Sequence, residues 1–437
     1  MILGKIAFTT LGCKVNLYDT EAMIELFEKE GYTLVNFDEF ADIYVINTCT
    51  VTNLGDKKSR QMIRRAKTLN PNSIIVATGC YSQVAPEEVS KIEGINIVIG
   101  TKNRLEIVKT VKKYQEEHKT DVLNTVSDIM KERIFEPLSI SKLKDRTRAY
   151  LKIQEGCNRF CTYCIIPFSR GPVRSRQPED VINEVEQLAK NGFKEIVLTG
   201  IHILSYGLDL KTTNFIDIIK KVHNVEGIQR IRFSSIEPLV ITDEFIEEMK
   251  KLPKVCDHYH LSLQSGCNKT LERMKRQYTK EQYEQAITKL RKAFPNVAIT
   301  TDMIVGFPGE TEEDFIDSYN FAKKIKITKI HAFPYSPKKG TKAALFDNQI
   351  PNNIKNTRNK EMIKLSNSLN IEFLENMLNK TMPVLFEREK EKGMYEGHTT
   401  NYINVTVQSD INITNQILNV KLIDIIKEEN MLGVICQ

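Results

Sequence analysis

The chain has 437 residues, enough for about two to four domains at ~100–200 residues each. Hydrophobic residues make up 41% and charged residues 27%, which excludes a wholly disordered, collagenous or coiled-coil protein, and no apolar run of roughly 18 residues exists to span a membrane. The net charge of +6 is a mild excess over this length; it permits an anionic partner without demanding one. Leu11-Gly12-Cys13 has the outline of a lipoprotein cleavage box, but the apolar stretch before it is short and broken by Thr9 and Thr10, so a secretory leader is not expected. Nine cysteines, an odd number in a long chain, argue against a disulfide framework and for a cytoplasmic protein with reduced thiols.

In chain order, residues 1–135 alternate apolar strands with amphipathic helices. Strands are predicted at 6–10, 43–47, 74–78 and 95–99, and helices at 21–30, 57–69 and 105–114. This is an α/β pattern with a mainly parallel sheet. Cys13, Cys49 and Cys80 each fall just after one of the first three strands. Loops at the carboxyl ends of parallel strands meet in one crevice, so three cysteines distant in sequence converge there. They read either as ligands of a shared metal group or as ordinary buried thiols. Residues 112–134 are polar and suit a linker.

The zone 145–375 repeats strand then helix six times, with strands at 150–154, 195–199, 230–234, 258–263, 298–304 and 329–333. Six such units predict a partial (β/α)6 TIM-like barrel whose site lies at the carboxyl ends of its strands. Polar or glycine-rich motifs stand there: Thr199-Gly200, Ser234-Ser235, Gln264-Ser265-Gly266 and Val305-Gly306-Phe307-Pro308-Gly309-Glu310. The first strand delivers Gly156-Cys157-Asn158-Arg159-Phe160-Cys161-Thr162-Tyr163-Cys164 to the same rim. Three thiolates within eight residues close around one iron–sulfur cube and leave one iron open for a ligand. Zinc sites pair cysteines two by two, and no fourth Cys or His stands nearby. A helix is predicted over 355–378, and alternating stretches at 382–386, 403–407 and 420–425 predict a small antiparallel β-barrel over 380–437.

The C-x-x-x-C-x-x-C spacing, with Tyr163 before its last cysteine, resembles the radical S-adenosylmethionine (SAM) superfamily. Over nearly the whole chain the sequence resembles the methylthiotransferases. These join a cluster-binding N-terminal domain (here 1–135), a radical-SAM barrel (145–375) and a substrate-holding TRAM domain (380–437). Thr10 to Asn16, Asn47 to Thr52 and Thr78-Gly79-Cys80 are similar to the family's auxiliary-cluster motifs. Ser234 to Pro238, His260 to Gly266 and Thr301 to Glu310 are similar to its barrel motifs, and Gly397 to Tyr402 lies where its TRAM motif belongs.

Lys14-Val15-Asn16 after Cys13, and Thr199-Gly200-Ile201-His202, look like the branch acting on N6-threonylcarbamoyladenosine in tRNA. The branches for isopentenyladenosine and for a ribosomal-protein aspartate tend to read G-C-Q-M-N and L-G-C-P-K-N, and they are the alternatives. Leu204 departs from the glycine frequent in the favoured branch.

The resemblance implies methylthiolation at carbon 2 of that base, at position 37 beside the anticodon. It implies two 4Fe-4S clusters, one on Cys157, Cys161 and Cys164 that cleaves SAM to a radical, the other on Cys13, Cys49 and Cys80 that carries sulfur. It implies SAM contacts from Tyr163, Gly200, Ser235, Glu237, Gln264, Gly306 and Pro308, a flavodoxin- or ferredoxin-like electron donor, and the tRNA anticodon stem-loop as partner.

Two basic runs are candidates for phosphate contact. Residues 141–176 hold nine Lys/Arg (Lys142, Lys144, Arg146, Arg148, Lys152, Arg159, Arg170, Arg174 and Arg176) against two acids; residues 57–67 hold six against none. Arg60, Arg64 and Lys67 share a helical face, and with Arg174 and Arg176 they are the expected RNA contacts. Residues 380–437 carry six basic and eight acidic residues, so the last domain either touches RNA through a small patch around His398, Asn401 and Tyr402 or packs on the barrel.

Overall fold

The computed structural model describes residues 4–141, 147–426 and 429–436. The N-terminal unit is a six-stranded sheet of order β2-β1-β3-β4-β5-β6. Its strands are β1 (Lys5–Thr10), β2 (Thr33–Val35), β3 (Ile43–Thr48), β4 (Ile74–Gly79), β5 (Ile97–Val98) and β6 (Leu123–Asn124). All neighbours run parallel. β3 is buried along its whole length, because helices cover both faces: Ile43 and Val45 face one apolar cluster, Tyr44 and Ile46 another.

Helix α1 (Lys14–Lys29) starts directly after Cys13, seven residues before the predicted start at 21. Asn16, Asp19 and Thr20 read as loop residues, yet they are buried and held by tertiary hydrogen bonds that override weak propensity. Helix α2 (Asn53–Leu69) follows the Cys49 loop, and the short α3 (Cys80–Val84) begins at Cys80 itself. The predicted linker is partly structured: a helix runs to Glu116 and β6 adds the sixth strand.

The second unit holds six parallel strands: β7 (Arg148–Glu155), β9 (Glu195–Gly200), β10 (Arg230–Phe233), β11 (His258–His260), β12 (Ala298–Val305) and β13 (Lys329–Pro334), with a short antiparallel β8 (Arg174–Ser175) beside β7. They form sheets β10-β9-β7-β8 and β11-β12-β13, and the bridges Ile231↔Val255 and Ile236↔Leu261 lie where the two halves meet. Along β7 the odd positions Ala149, Leu151 and Ile153 enter the main core with Val181, Val185 and Leu188 of the helix Pro178–Lys190. The even positions, Arg148, Tyr150 and Lys152, take the other face and meet α1 and the C-terminal unit.

The helix Asn352–Glu375 leads into a closed five-stranded barrel of β14 (Thr381–Glu391), β15 (Met394–Thr399), β16 (Asn404–Gln408), β17 (Ile417–Ile426) and β18 (Asn430–Ile435). The expected antiparallel pairing holds except between β16 and β18, which run parallel. Val384, Phe386, Val405, Val407, Val420 and Leu422 fill its interior. This barrel seats on the amino-terminal ends of the larger barrel's strands. Arg230 donates to the carbonyls of His398 (2.8 Å) and Pro383 (2.6 Å), Arg232 to that of Thr400 (2.9 Å), and Asn401 to that of Asn296 (2.9 Å).

A buried ion cluster joins the first two units. Asp19 of α1 accepts from Arg104, Lys152 and Arg170, the last at 2.9 Å; Glu155 accepts from Arg170 (2.7 Å) and Lys152 (3.0 Å). Burial opposes ionisation of both carboxyls, yet the surrounding cations, Arg104, Lys152 and Arg170 for both and Arg174 also for Glu155, hold each below its ordinary value. No helix among the described residues is long and apolar enough to cross a membrane.

Candidate active site

The loop after β7 is shaped by Gly156, at φ 76°, where a Cβ would lie 1.9 Å from the Pro172 carbonyl oxygen. Cys157 N–H donates to the Gly171 carbonyl (3.0 Å), and Thr162 is pinned to the carbonyls of Met274 (3.1 Å) and Arg273 (2.8 Å). The loop therefore presents Cys157, Cys161, Tyr163 and Cys164 to one cavity. Burial pushes the Cys157 thiol up to about 11 and the Cys164 thiol up to about 12. Such thiols stay neutral at pH 7 until a bound cationic group draws their protons off. Donors already face the sulfurs: the Arg159 backbone N–H lies 3.5 Å from Cys157 Sγ and Arg276 Nη1 lies 3.4 Å from Cys161 Sγ. Three thiols with N–H···S donors are the chemistry that suits a four-iron cluster.

Cys13, Cys49 and Cys80 stand at the carboxyl ends of β1, β3 and β4 and act on one another electrostatically. Gly12 makes room: its Cβ position is 3.0 Å from Cys49 Sγ. Burial raises the Cys13 and Cys49 thiols, the latter to about 11. Asn16 ties the loops together, donating to the carbonyls of Leu11 (2.7 Å) and Thr48 (3.0 Å) while its Oδ1 accepts from Arg170. Arg170 Nε also lies 3.2 Å from Cys80 Sγ. Among the described residues no three His, Cys, Asp or Glu side chains are placed for a single metal ion. A cube is a different fit, because it spreads its thiolates over separate irons.

The cavity measures about 850 Å³. At the top it is lined by the central cysteine loop and Cys13; its wall includes Gly200, His202, Ser235 and Glu237; at the base it reaches His258, His398 and Tyr402, and the Lys14 side chain lines it beside Tyr150. Of the residues expected at SAM, Tyr163, Gly200, Ser235 and Glu237 line it, and Gln264, Gly306 and Pro308 do not. Those three form the underlying frame: Gln264 bridges to Met303, Glu310 accepts from the Gly306 amide at 2.8 Å, and Pro308 is buried. The motif's Phe307 packs edge-on to Tyr163 at 6.5 Å, so it braces the cysteine loop from below.

Glu237 is the carboxylate of the upper wall. Burial works against its charge, but His202, Arg276 (3.0 Å) and Arg159 (3.1 Å) hold its carboxyl down at about 2. At the base, Tyr402 is stacked between His258 (4.9 Å) and His398 (4.7 Å) with the Arg232 guanidinium 4.7 Å from its ring centre. The patch of His398, Asn401 and Tyr402 thus packs on the larger barrel and does not form an outer RNA surface.

Two expected RNA contacts are corrected by the structure. Arg174 and Arg176 are only 3% and 4% exposed. Arg174 donates to the Arg170 carbonyl (3.0 Å), and Arg176 pairs with Glu184 and Tyr18. Most of that basic run is matched internally: Arg148 to Glu387, Arg159 to Glu237, and Lys152 and Arg170 to the buried cluster. Lys142, Lys144 and Arg146 lie outside the described residues. On α2, Arg60 is held by Tyr81 (2.9 Å) and Glu88 (3.2 Å), and Lys67 by the Pro71 carbonyl (2.6 Å), whereas Lys57, Lys58 and Arg64 are exposed.

Residues 151–322 match the Radical SAM superfamily, and residues 5–100 match the Uncharacterized protein family UPF0004. A threonylcarbamoyladenosine tRNA methylthiotransferase of Bacillus subtilis, MtaB, is 47% identical over 426 residues, 96% of this chain and 94% of that protein. The chain belongs to the radical-SAM methylthiotransferase family. Another member, from Aquifex aeolicus and bearing the same description, is 41% identical over 92% of this chain and 96% of its own length. A tRNA-2-methylthio-N(6)-dimethylallyladenosine synthase of Thermoanaerobacter is 36% identical over 94% of this chain and 89% of its own length. Among solved structures, the radical SAM methyltransferase TsrM of Kitasatospora setae, with cobalamin and a [4Fe-4S] cluster bound, superposes with a TM-score of 0.58 at 13% identity. It covers 90% of this chain and 80% of that one, a likeness of fold alone. As a methylthiotransferase of this family the protein is a radical-SAM enzyme, and its central cysteine loop lies within the residues that match the Radical SAM superfamily.

Proposed function

We propose that this methylthiotransferase inserts a methylthio group at carbon 2 of N6-threonylcarbamoyladenosine beside the tRNA anticodon, in the cytoplasm, using two four-iron clusters and SAM. The observation that carries the reading is the cavity itself: Cys13 of one cysteine set and Cys157, Cys161 and Cys164 of the other line the same space. The named substrate of the 47% and 41% identical relatives favours this base over the dimethylallyl one.

The ring C–H bond is not acidic, so the bound clusters and SAM supply the one-electron chemistry and the sulfur that no side chain offers. The protein's residues hold and screen. Cys157, Cys161 and Cys164 would bind one cluster, with the Arg159 amide donating to Cys157 Sγ and Arg276 to Cys161 Sγ. Cys13, Cys49 and Cys80 would bind the other, with Arg170 donating to Cys80. Each set would supply three thiolates to its cluster. Tyr163, Gly200, Ser235 and Glu237 would surround SAM, the ionised Glu237 facing its cationic groups. The base, unstacked from the anticodon loop, enters between the two sets, where the protein walls exclude water. The electron arrives from a flavodoxin- or ferredoxin-like donor.

Nucleoside mass spectrometry of tRNA from a deletion strain tests the reading. The 2-methylthio derivative of threonylcarbamoyladenosine should vanish and return with the wild-type gene. Its persistence in the deletion strain, in the absence of a second copy, would refute the substrate assignment.

A further inference from the structure

The cavity lining contains four Lys or Arg side chains among the described residues: Lys14, Arg159, Arg276 and Lys329. Three are committed. Arg159 and Arg276 both bind Glu237, at 3.1 and 3.0 Å, and Lys329 binds Glu429 at 2.8 Å. Lys14 has no carboxylate within ion-pair distance among the described residues. Its ammonium stands 5.8 Å from the ring centre of Tyr150, directly after Cys13. Tyr402 and Glu195 attract its charge while Arg148 and Arg232 repel it, and Glu195, the carboxylate among them, is already bound by Arg232 at 2.9 Å. A cation kept in a site wall without a counter-ion is a place for an anion to complete.

We propose that Lys14 is the specificity residue that receives the carboxylate of the substituent on the substrate's exocyclic nitrogen. The inference rests on the substrate reading above. A threonylcarbamoyl group places its carboxylate about one amino-acid length beyond the ring. Lys14 opens α1 directly after Cys13, so the ring carbon facing that cysteine set and the carboxylate facing Lys14 would be presented by one short segment. A dimethylallyl group offers the same wall no charge, and would leave Lys14 desolvated and unpaired.

The test uses reconstituted holoenzyme and two anticodon stem-loop RNAs, one bearing threonylcarbamoyladenosine and one bearing its methyl ester. The phosphate contribution is common to both, so the ratio of their dissociation constants at one salt concentration isolates the carboxylate. Wild type should prefer the acid roughly tenfold or more, the size of one charge-assisted hydrogen bond. Lys14→Met should erase the preference with its iron content unchanged, and Lys14→Arg should restore part of it. Equal affinity of wild type for acid and ester, or an undiminished preference in Lys14→Met, overturns the proposal; should Lys14→Met lose iron, the wild-type ratio decides. The same preparations, supplied with SAM, sulfide and a strong chemical reductant, report on the underlying reading. If wild type prefers the acid but gives no methylthio product from it by mass spectrometry, the substrate reading fails while the anion site stands.

Discussion

At the scale of single residues, charge inside this protein is arranged as opposed pairs, and removing one member leaves a cost. Arg170 is fully buried and serves Asp19, Glu155, Asn16 and Cys80 at once. Arg170→Met should destabilise the apoprotein by about 3–5 kcal/mol, because it strands two buried carboxylates rather than replacing a pair. Urea denaturation checks this; an unchanged midpoint would mean that Arg104 and Lys152 suffice for Asp19 and Glu155. Glu237 gives a pH signature. Its carboxyl sits at about 2, below a free glutamate near ~4.3. A depressed value means stability that is present above the unfolded pKa and lost as pH falls toward 2. The difference corresponds to about 3 kcal/mol. Glu237→Gln should remove that portion of acid sensitivity between about pH 4.5 and 2, read from denaturation midpoints across the range. An identical pH profile in the variant would place the stabilisation elsewhere.

At the scale of elements, each cysteine set is a product of strand ends and the turns that follow them. Gly156 is the hinge of the central loop, and neither its φ nor the approach of Pro172 tolerates a side chain. Gly156→Ala should therefore spoil Cys157, Cys161 and Cys164 as a set while sparing the N-terminal three. Anaerobic reconstitution should yield about four irons per chain instead of about eight. Full iron in the variant would show that the loop does not set the ligand geometry. Much of this level was legible in the sequence. Apolar runs located all six barrel strands, and the cysteines at strand ends follow from their positions. What was hidden depends on distance along the chain. Arg170 and Asp19 are 151 residues apart, and nothing local distinguishes Arg170, Arg174 or Arg176 from surface cations. The first seven residues of α1 were missed for the same reason, since Asn16, Asp19 and Thr20 are held in the helix by remote partners. Gln264, Gly306 and Pro308 carried motif signals that the structure spends on framing the barrel rim instead of lining the cavity.

At the scale of the whole molecule, the three units divide the surfaces available to an RNA. The C-terminal barrel, acidic on balance, covers the amino-terminal ends of the larger barrel's strands, and its Asn401 and Tyr402 are used in that seat. The opposite end, where the two cysteine sets meet, is bordered by α2. Val51, just before that helix, lines the cavity, and Asn53 at its start bonds Pro337 of the barrel at 2.9 Å. From this mouth α2 carries Lys57, Lys58 and Arg64, all exposed and, among the described residues, without carboxylate partners. Arg60 and Lys67, on the same helix, are already engaged. A polyanion approaching the mouth meets the uncommitted three first. Neutralising Lys57, Lys58 and Arg64 together should weaken tRNA binding and flatten its salt dependence by about 0.7–0.9 in log–log slope for each phosphate that is no longer neutralised. Neutralising Arg60 and Lys67 should change the slope less, since their charges are partly spent on Glu88 and on the Pro71 carbonyl. Affinity measured at several salt concentrations for both sets of variants separates the two groups. Equal slopes for wild type and the Lys57, Lys58 and Arg64 variant would mean that this helix is only a solvated face, and that the RNA reaches the cavity from another side.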